Sequence, residues 1–154
     1  MGQYRRNVGI AVFNRAGQVL IAERADRPGA WQLPQGGIDA QEEPWPAALR
    51  ELAEEIGTAN VTYLGEIEDE LSYNFPPGFV GNPYKGQYIG QSQKWFAVRF
   101  EGEDSEIRLD SHEEVEFVRW RWAELSEIGE LAVAFKREVY GRVMAEFVRY
   151  AQAI

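Results

Sequence analysis

Apolar residues near the start of the chain fall in two short runs, Val8–Phe13 and Val19–Ala22, separated by Asn14, Arg15, Ala16 and Gly17. Two such runs around a polar break that contains a glycine predict a β-hairpin. Asp26–Ala30 holds Pro28 and Gly29 and reads as a loop; Trp31–Leu33 is a short extended piece stopped by Pro34. The period then changes. Trp45, Ala48, Leu49, Leu52 and Ile56 recur at i, i+3, i+4, i+7 and i+11, which predicts a helix over about Pro44–Ile56. Prolines are tolerated in a first helical turn, and Gly57 is placed to end it. Val61–Ile67, Leu71–Phe75, Lys94–Phe100 and Val115–Trp122 read as strands, and Pro76–Gln91, with three Pro and four Gly, as a long functional loop. On the last strand Glu116, Trp120 and Trp122 have the same parity, so one face is expected to carry both site and core candidates. Val139, Val143, Phe147 and Tyr150 mark one face of a closing helix, Val133–Ala151. Mixed strands and helices point to an α/β fold, a sheet with helices against it. No linker divides the chain, so residues 1–154 are read as one domain.

Charge changes the picture in one respect. Sixteen basic residues stand against 25 acidic ones, a net charge of −9 over 154 residues. Such a chain is a poor nonspecific ligand for nucleic acid, which is bound largely through cations, and no extended nucleic-acid groove is expected. Gripping a single phosphorylated end is not excluded. Acids gathered at one point could instead hold a divalent cation. There is no cysteine, which excludes disulfides, thiolate metal sites and a cysteine nucleophile. No apolar stretch is long enough for a membrane span, and the start lacks the long apolar centre of a signal peptide. The cytosol is the expected compartment.

The chemistry is concentrated in GGIDAQEEPWPAALRELAEEIGT. Successive helical residues turn by about 100°, so Glu51, Glu54 and Glu55 share an arc of about 100°. Three anions so close cost energy unless something positive sits among them. Arg50, four residues before Glu54, compensates in part. The alternative is a hard divalent cation such as Mg²⁺, which takes one or two carboxylates and completes its shell with water and substrate phosphate. That arrangement holds a pyrophosphate and activates a water. Taken alone, the acidic run also reads as a solvated helix face.

Gly36, Glu42, Arg50, Glu51, Glu54, Glu55 and Gly57 match every fixed position of the Nudix box, G-x5-E-x7-R-E-U-x-E-E-x-G-U, where U is a bulky aliphatic. Leu52 fills the first aliphatic place; Thr58 stands at the last, where a packing difference is expected rather than lost chemistry. The pieces YRRNVGI, WQLPQGGID, YNFPP, GQSQKWF, EFVRWRW and FKREVY resemble the branch that contains bacterial RNA pyrophosphohydrolases and plant-type diadenosine tetraphosphate hydrolases.

The resemblance implies an α/β/α sandwich with a mixed sheet and a pyrophosphohydrolase dependent on Mg²⁺ or Mn²⁺. It implies that Glu51, Glu54 and Glu55 bind metal, that Arg50 orients them with support from Glu42, and that Gly36 offers close backbone approach and its carbonyl. Glu116 matches a distant metal ligand or base, with Glu113 and Glu114 as competing candidates. Arg5 and Lys94 match cations directed at the phosphate chain. Arg24 and Phe135 match a guanidinium and an aromatic that sandwich a base, and Tyr73 is a weaker candidate for stacking. The lone histidine, His112, reads as a loop residue. Core or half-buried packing is expected for most of Trp31, Trp45, Trp95, Trp120 and Trp122. The implied substrates are RNA 5′-triphosphate ends and diadenosine polyphosphates. Oxidised nucleotides or NADH are an alternative, and a non-catalytic nucleotide-binding module is another.

Overall fold

The computed structural model describes residues 3–77, 88–111 and 115–154. At its centre β1 (Tyr4–Phe13) and β7 (Gly90–Phe100) run parallel, paired from Tyr4 with Gly90 to Phe13 with Arg99. Both strands are longer than their apolar runs. The exposed start of β1 pairs with the first residues of β7, so Gly90 and Gln91 leave the expected loop and become strand. Most of that loop, and His112, Glu113 and Glu114, lie outside the described residues.

The outer edge of β7 takes β5 (Val61–Glu66) and β6 (Leu71–Asn74), both antiparallel. The other edge of β1 takes β4 (Gln35–Gly37), an element absent from the hydropathy pattern because QGG carries no apolar side chain. β2 (Val19–Arg24) closes the predicted hairpin at Phe13 and Val19, then pairs with β3 (Trp31–Gln32) and with β8 (Phe117–Ala123). All eight strands belong to one mixed sheet.

The central strands carry continuous apolar runs because both faces are covered. Val8, Ile10, Val12, Phe96 and Val98 meet α1 (Pro44–Ile56) through Ala48, Leu52 and Ile56. Each fully buried Leu or Ile contributes about 1.5–3 kcal/mol to holding α1 on the sheet. Ala11, Phe13, Trp95 and Ala97 face the other way, onto Val139, Tyr140, Val143 and Phe147 of α3 (Arg137–Phe147) and onto Ile128 of the one-turn α2 (Ile128–Leu131). The α/β/α layering is therefore as expected. Trp95 is fully buried and the other four tryptophans are half-buried.

Two expectations are corrected. The closing helix is interrupted: a 3-10 turn, Ala134–Lys136, precedes α3, and a second, Val148–Tyr150, follows it. The apolar period starts only at Val139, and the residues before it bend the chain toward the cavity described below. The shared parity of Glu116, Trp120 and Trp122 also fails. Leu20, Ala22 and Arg24 alternate onto one face of β2 and pair with Trp122, Trp120 and Phe117, so the register shifts between Glu23 and Arg24. The extra residue of this bulge puts Phe117 opposite Arg24, and Glu116 lies before the start of β8, so a simple alternation does not extend to it.

Candidate active site

Arg50 organises the carboxylates. Its Nε and Nη2 donate to both oxygens of Glu42 (2.9 and 2.8 Å), its Nη1 to Glu51 (2.9 Å) and Glu54 (3.4 Å), and its Nη2 also to the Gly37 carbonyl (2.8 Å). The Arg50 fork holds the Glu42 carboxyl down at about 2, with help from the Asp39 backbone N–H. The expected roles of Arg50 and Glu42 have this geometry. A Cβ on Gly36 would overlap the carboxylate of Glu51, so the close approach expected at Gly36 is made by that side chain. Thr58 is buried, and its hydroxyl accepts from the Asn60 N–H at 3.1 Å, the packing difference anticipated for this position.

Glu55 differs from its neighbours. It is 6% exposed, and one oxygen accepts a long 3.4 Å bond from the Gln35 N–H. The other, Oε2, is buried without a hydrogen-bond partner among the described residues. Desolvation, then the charges of Glu116 and Glu51, push its carboxyl well above the ordinary range. Burial likewise raises Glu51, against the pull of Arg50. No three carboxylates among the described residues are already grouped to hold a metal ion. Still, an orphaned buried oxygen, two neighbouring carboxyls raised by burial and a glycine cradle fit a divalent cation. Oxygen donors alone suit a hard ion.

These groups form one wall of a cavity of about 490 Å³, within the range of small-molecule sites. Glu51, Glu54, Glu55, Glu116 and Gly36 line it. Arg5, Arg24, Tyr73, Phe135 and Lys136 line the same cavity and make up its cationic and aromatic wall. The Arg5 guanidinium occupies the space that a Cβ on Gly37 would fill. Arg24 is held by a two-pronged bond to Asp26 (2.7 and 2.8 Å) and by Gln32 (3.2 Å).

Of the predicted binding residues, Lys94 is corrected, and Tyr73 lines the cavity with little exposure. Lys94 does not join the cavity wall: its Nζ pairs with Glu66 at 2.6 Å and donates to the carbonyls of Ile67 (2.8 Å) and Glu68 (3.4 Å). It shares the β7 face of Phe96 and Val98, which turns toward α1. Tyr73 lines the cavity but is 6% exposed, with Phe75 at 6.1 Å, Phe135 at 5.6 Å and the Lys136 Nζ at 5.7 Å from its ring. It packs beside Phe135 in the cavity lining.

The sequence reading missed Lys136, which is 6% exposed. Its Nζ donates to Gln32 Oε1 (3.0 Å) and Gln35 Oε1 (3.5 Å), and desolvation, then Arg24, bring it down to about 7. Behind it, Gln93 donates through Nε2 to Asn7 (2.9 Å) and Gln35 (3.2 Å), and its Oε1 accepts from the Trp95 indole N–H (3.2 Å). The Tyr140 hydroxyl accepts from the Leu33 N–H at 2.9 Å and ties α3 to the bend between β3 and β4. The signal was present in FKREVY and WQLPQGG, whose polar letters are the ones that meet here.

The NUDIX domain family model matches residues 3–147. The chain belongs to the Nudix family. Among curated Nudix relatives, the RNA pyrophosphohydrolase of Acidiphilium cryptum (strain JF-5) is 56% identical over 153 residues, covering 97% of this chain and 93% of that protein. The RNA pyrophosphohydrolase of Gluconacetobacter diazotrophicus is 48% identical over 157 residues, covering 97% and 94%. Among solved structures, the E. coli dihydroneopterin triphosphate pyrophosphohydrolase superposes with a TM-score of 0.68 at 17% identity, over 94% of this chain and 99% of that one. A C. elegans Ap4A hydrolase complex gives 0.64 at 20% identity, over 93% and 98%. These structural likenesses establish the fold. The chain is a Nudix hydrolase, and Nudix hydrolases generally use divalent metal ions.

Proposed function

We propose that this hydrolase removes pyrophosphate from 5′-triphosphorylated RNA ends, with Mg²⁺ as the working ion and diadenosine polyphosphates as a second substrate class. The observation that carries the reading is that one cavity is lined both by a group of carboxylates, Glu55 buried among them, and by cations and an aromatic ring. The names of the curated relatives point the same way.

Glu51, Glu54, Glu55 and Glu116, with the Gly36 carbonyl, would hold the metal. When bound, it lowers the pKa of a coordinated water and offsets charge on the phosphate oxygens. Arg50 keeps Glu51 and Glu54 in place. Arg5 and Lys136 receive the phosphate chain, and Arg24 and Phe135 clasp the base. Water attacks a phosphorus in line with the leaving oxygen, and its proton passes to a carboxylate of the acidic wall. The cytosol is the compartment this substrate assigns.

The test is kcat/KM measured side by side on triphosphorylated RNA, diadenosine tetraphosphate and an oxidised deoxynucleoside triphosphate, with and without EDTA. RNA is expected to lead, with turnover lost in EDTA. A preference for the oxidised nucleotide would overturn the substrate assignment. Tight nucleotide binding without turnover in Mg²⁺ would indicate a binding module.

A further inference from the structure

The cavity has room for a small molecule or the end of a chain, so a longer RNA has to leave it over a rim. Trp31 stands on that rim. It lines the cavity, is half-buried against the α2–α3 layer, and carries two guanidiniums over its ring: Arg119 at 5.9 Å and Arg121 at 5.4 Å from the centroid. Both come from β8, two residues apart and therefore on one face. Their charges are not equally answered. Arg119 donates to the buried Glu23 through Nε (2.7 Å) and Nη2 (2.6 Å), and Glu23 is itself fixed by the Gly29 N–H at 2.8 Å. Arg121 reaches its carboxylate, Glu127, only at 3.7 Å.

Two like charges on one indole repel each other unless an anion comes between or beside them. One anion, Glu23, is built in for Arg119. The loosely paired partner is a planar fork of the kind that takes phosphate in two-pronged fashion, pre-oriented by stacking on the ring. In a chain of net charge −9, this cationic step beside the cavity is unlike the general surface.

We infer that Trp31, Arg119 and Arg121 form a second nucleotide subsite, in which Arg121 receives a backbone phosphate of the RNA as it leaves the cavity. Trp31 and Arg119 position that guanidinium. The subsite rests on the RNA reading above and deepens it: it favours an RNA end over a dinucleoside polyphosphate, because only the RNA continues past the rim.

The experiment measures kcat/KM on 5′-triphosphorylated RNAs of two, three and four nucleotides and on diadenosine tetraphosphate, for the wild type, Arg121→Gln and Trp31→Phe. The wild type is expected to gain about three- to fivefold from the third or fourth nucleotide, the yield of one exposed ion pair. Arg121→Gln should lose that gain while keeping the rates on the dinucleotide RNA and on diadenosine tetraphosphate. Its log K against log salt slope for the tetranucleotide, taken with Ca²⁺ in place of Mg²⁺, should be shallower by about 0.7, one phosphate for a single strand. Trp31→Phe, which keeps an aromatic in the same packing, should lose part of the gain, and serves alone if Arg121→Gln does not fold. A wild type with no length gain, a gain intact in the variants, or a loss shared equally by all substrates overturns the subsite. Absence of RNA hydrolysis altogether would overturn the proposed function instead.

Discussion

The two walls of the cavity are built on opposite plans. The acidic wall comes mainly from one helix, and a single residue, Arg50, keeps its carboxylates apart and in place. It is under electrostatic load: burial pushes both Glu55 and Glu51 up, with the charges of Glu116 and Glu51 adding to Glu55 and that of Glu54 adding to Glu51. The cationic wall takes its residues from β1, β2, β6 and the turn before α3, and Arg24 and Lys136 each have their own holder. Arg24 rests on Asp26; Lys136 rests on two neutral amides and so keeps its proton less firmly. The lesson is that a metal site is made by crowding charges of one sign, while a substrate site is made by separating charges of the other sign and anchoring each.

The largest expected effect falls on the loaded wall. Glu55→Gln should cost about a thousandfold in kcat, since metal stabilisation of the transition state amounts to several kcal/mol. Folding should not suffer. A carboxyl raised by burial binds its proton more tightly when folded, so the metal-free wild type loses stability as pH rises above the ordinary carboxylate range. The variant should lack that slope, and melting curves across pH in EDTA would check it. Wild-type turnover across a Mg²⁺ titration would remove Glu55 from the metal site.

Arg50→Lys tests whether one guanidinium holds the wall together. An ammonium cannot reproduce the fork on Glu42. Activity should fall about 10- to 100-fold, as for residues that orient metal ligands, with the Mg²⁺ activation curve moved to higher concentration. An unmoved curve would mean that the carboxylates hold their places unaided.

The contiguity of the acidic wall explains why it was legible. Helical periodicity converts linear spacing into angles, so Glu51, Glu54 and Glu55 could be placed on one arc before any fold was known. Lys136 had no such rule. It comes into play because a 3-10 turn replaces the expected start of the closing helix and buries its side chain beside Gln32 and Gln35, over a hundred residues away in the chain. Lys94 misled for the same reason. Its residue type suits phosphate, but strand alternation puts it on the face with Glu66.

The cationic wall should respond in affinity rather than chemistry. Phe135→Ala is expected to raise KM by about 1–3 kcal/mol equivalent with little change in kcat, because stacking acts alike on ground and transition states. An unfolded variant with a normal pocket in its folded fraction would instead make Phe135 a core residue. Lys136 is cationic below about 7 and loses its charge above. KM should therefore climb as pH rises through about 7, while Lys136→Gln starts about tenfold higher and climbs less. Parallel pH profiles would separate this lysine from phosphate binding. Lys94→Gln should leave KM unchanged and cost at most about 1 kcal/mol of stability; a raised KM would return Lys94 to the substrate wall.

The amino-acid sequence by itself determined the elements whose signal is local. The helix over Pro44–Ile56, the hairpin and the spacing of the metal-facing glutamates all follow from periods of 3.6 and 2 along the chain. Tertiary structure alone decided what depends on pairing between distant segments. A bulge interrupted the alternation between Glu116 and the tryptophans, the amides of Gln32 and Gln35 made a buried lysine tolerable, and two arginines of β8 came to rest on Trp31. The physical reason is that periodicity tells which way a side chain points relative to its own element. What it meets there is set by the register and packing of other elements.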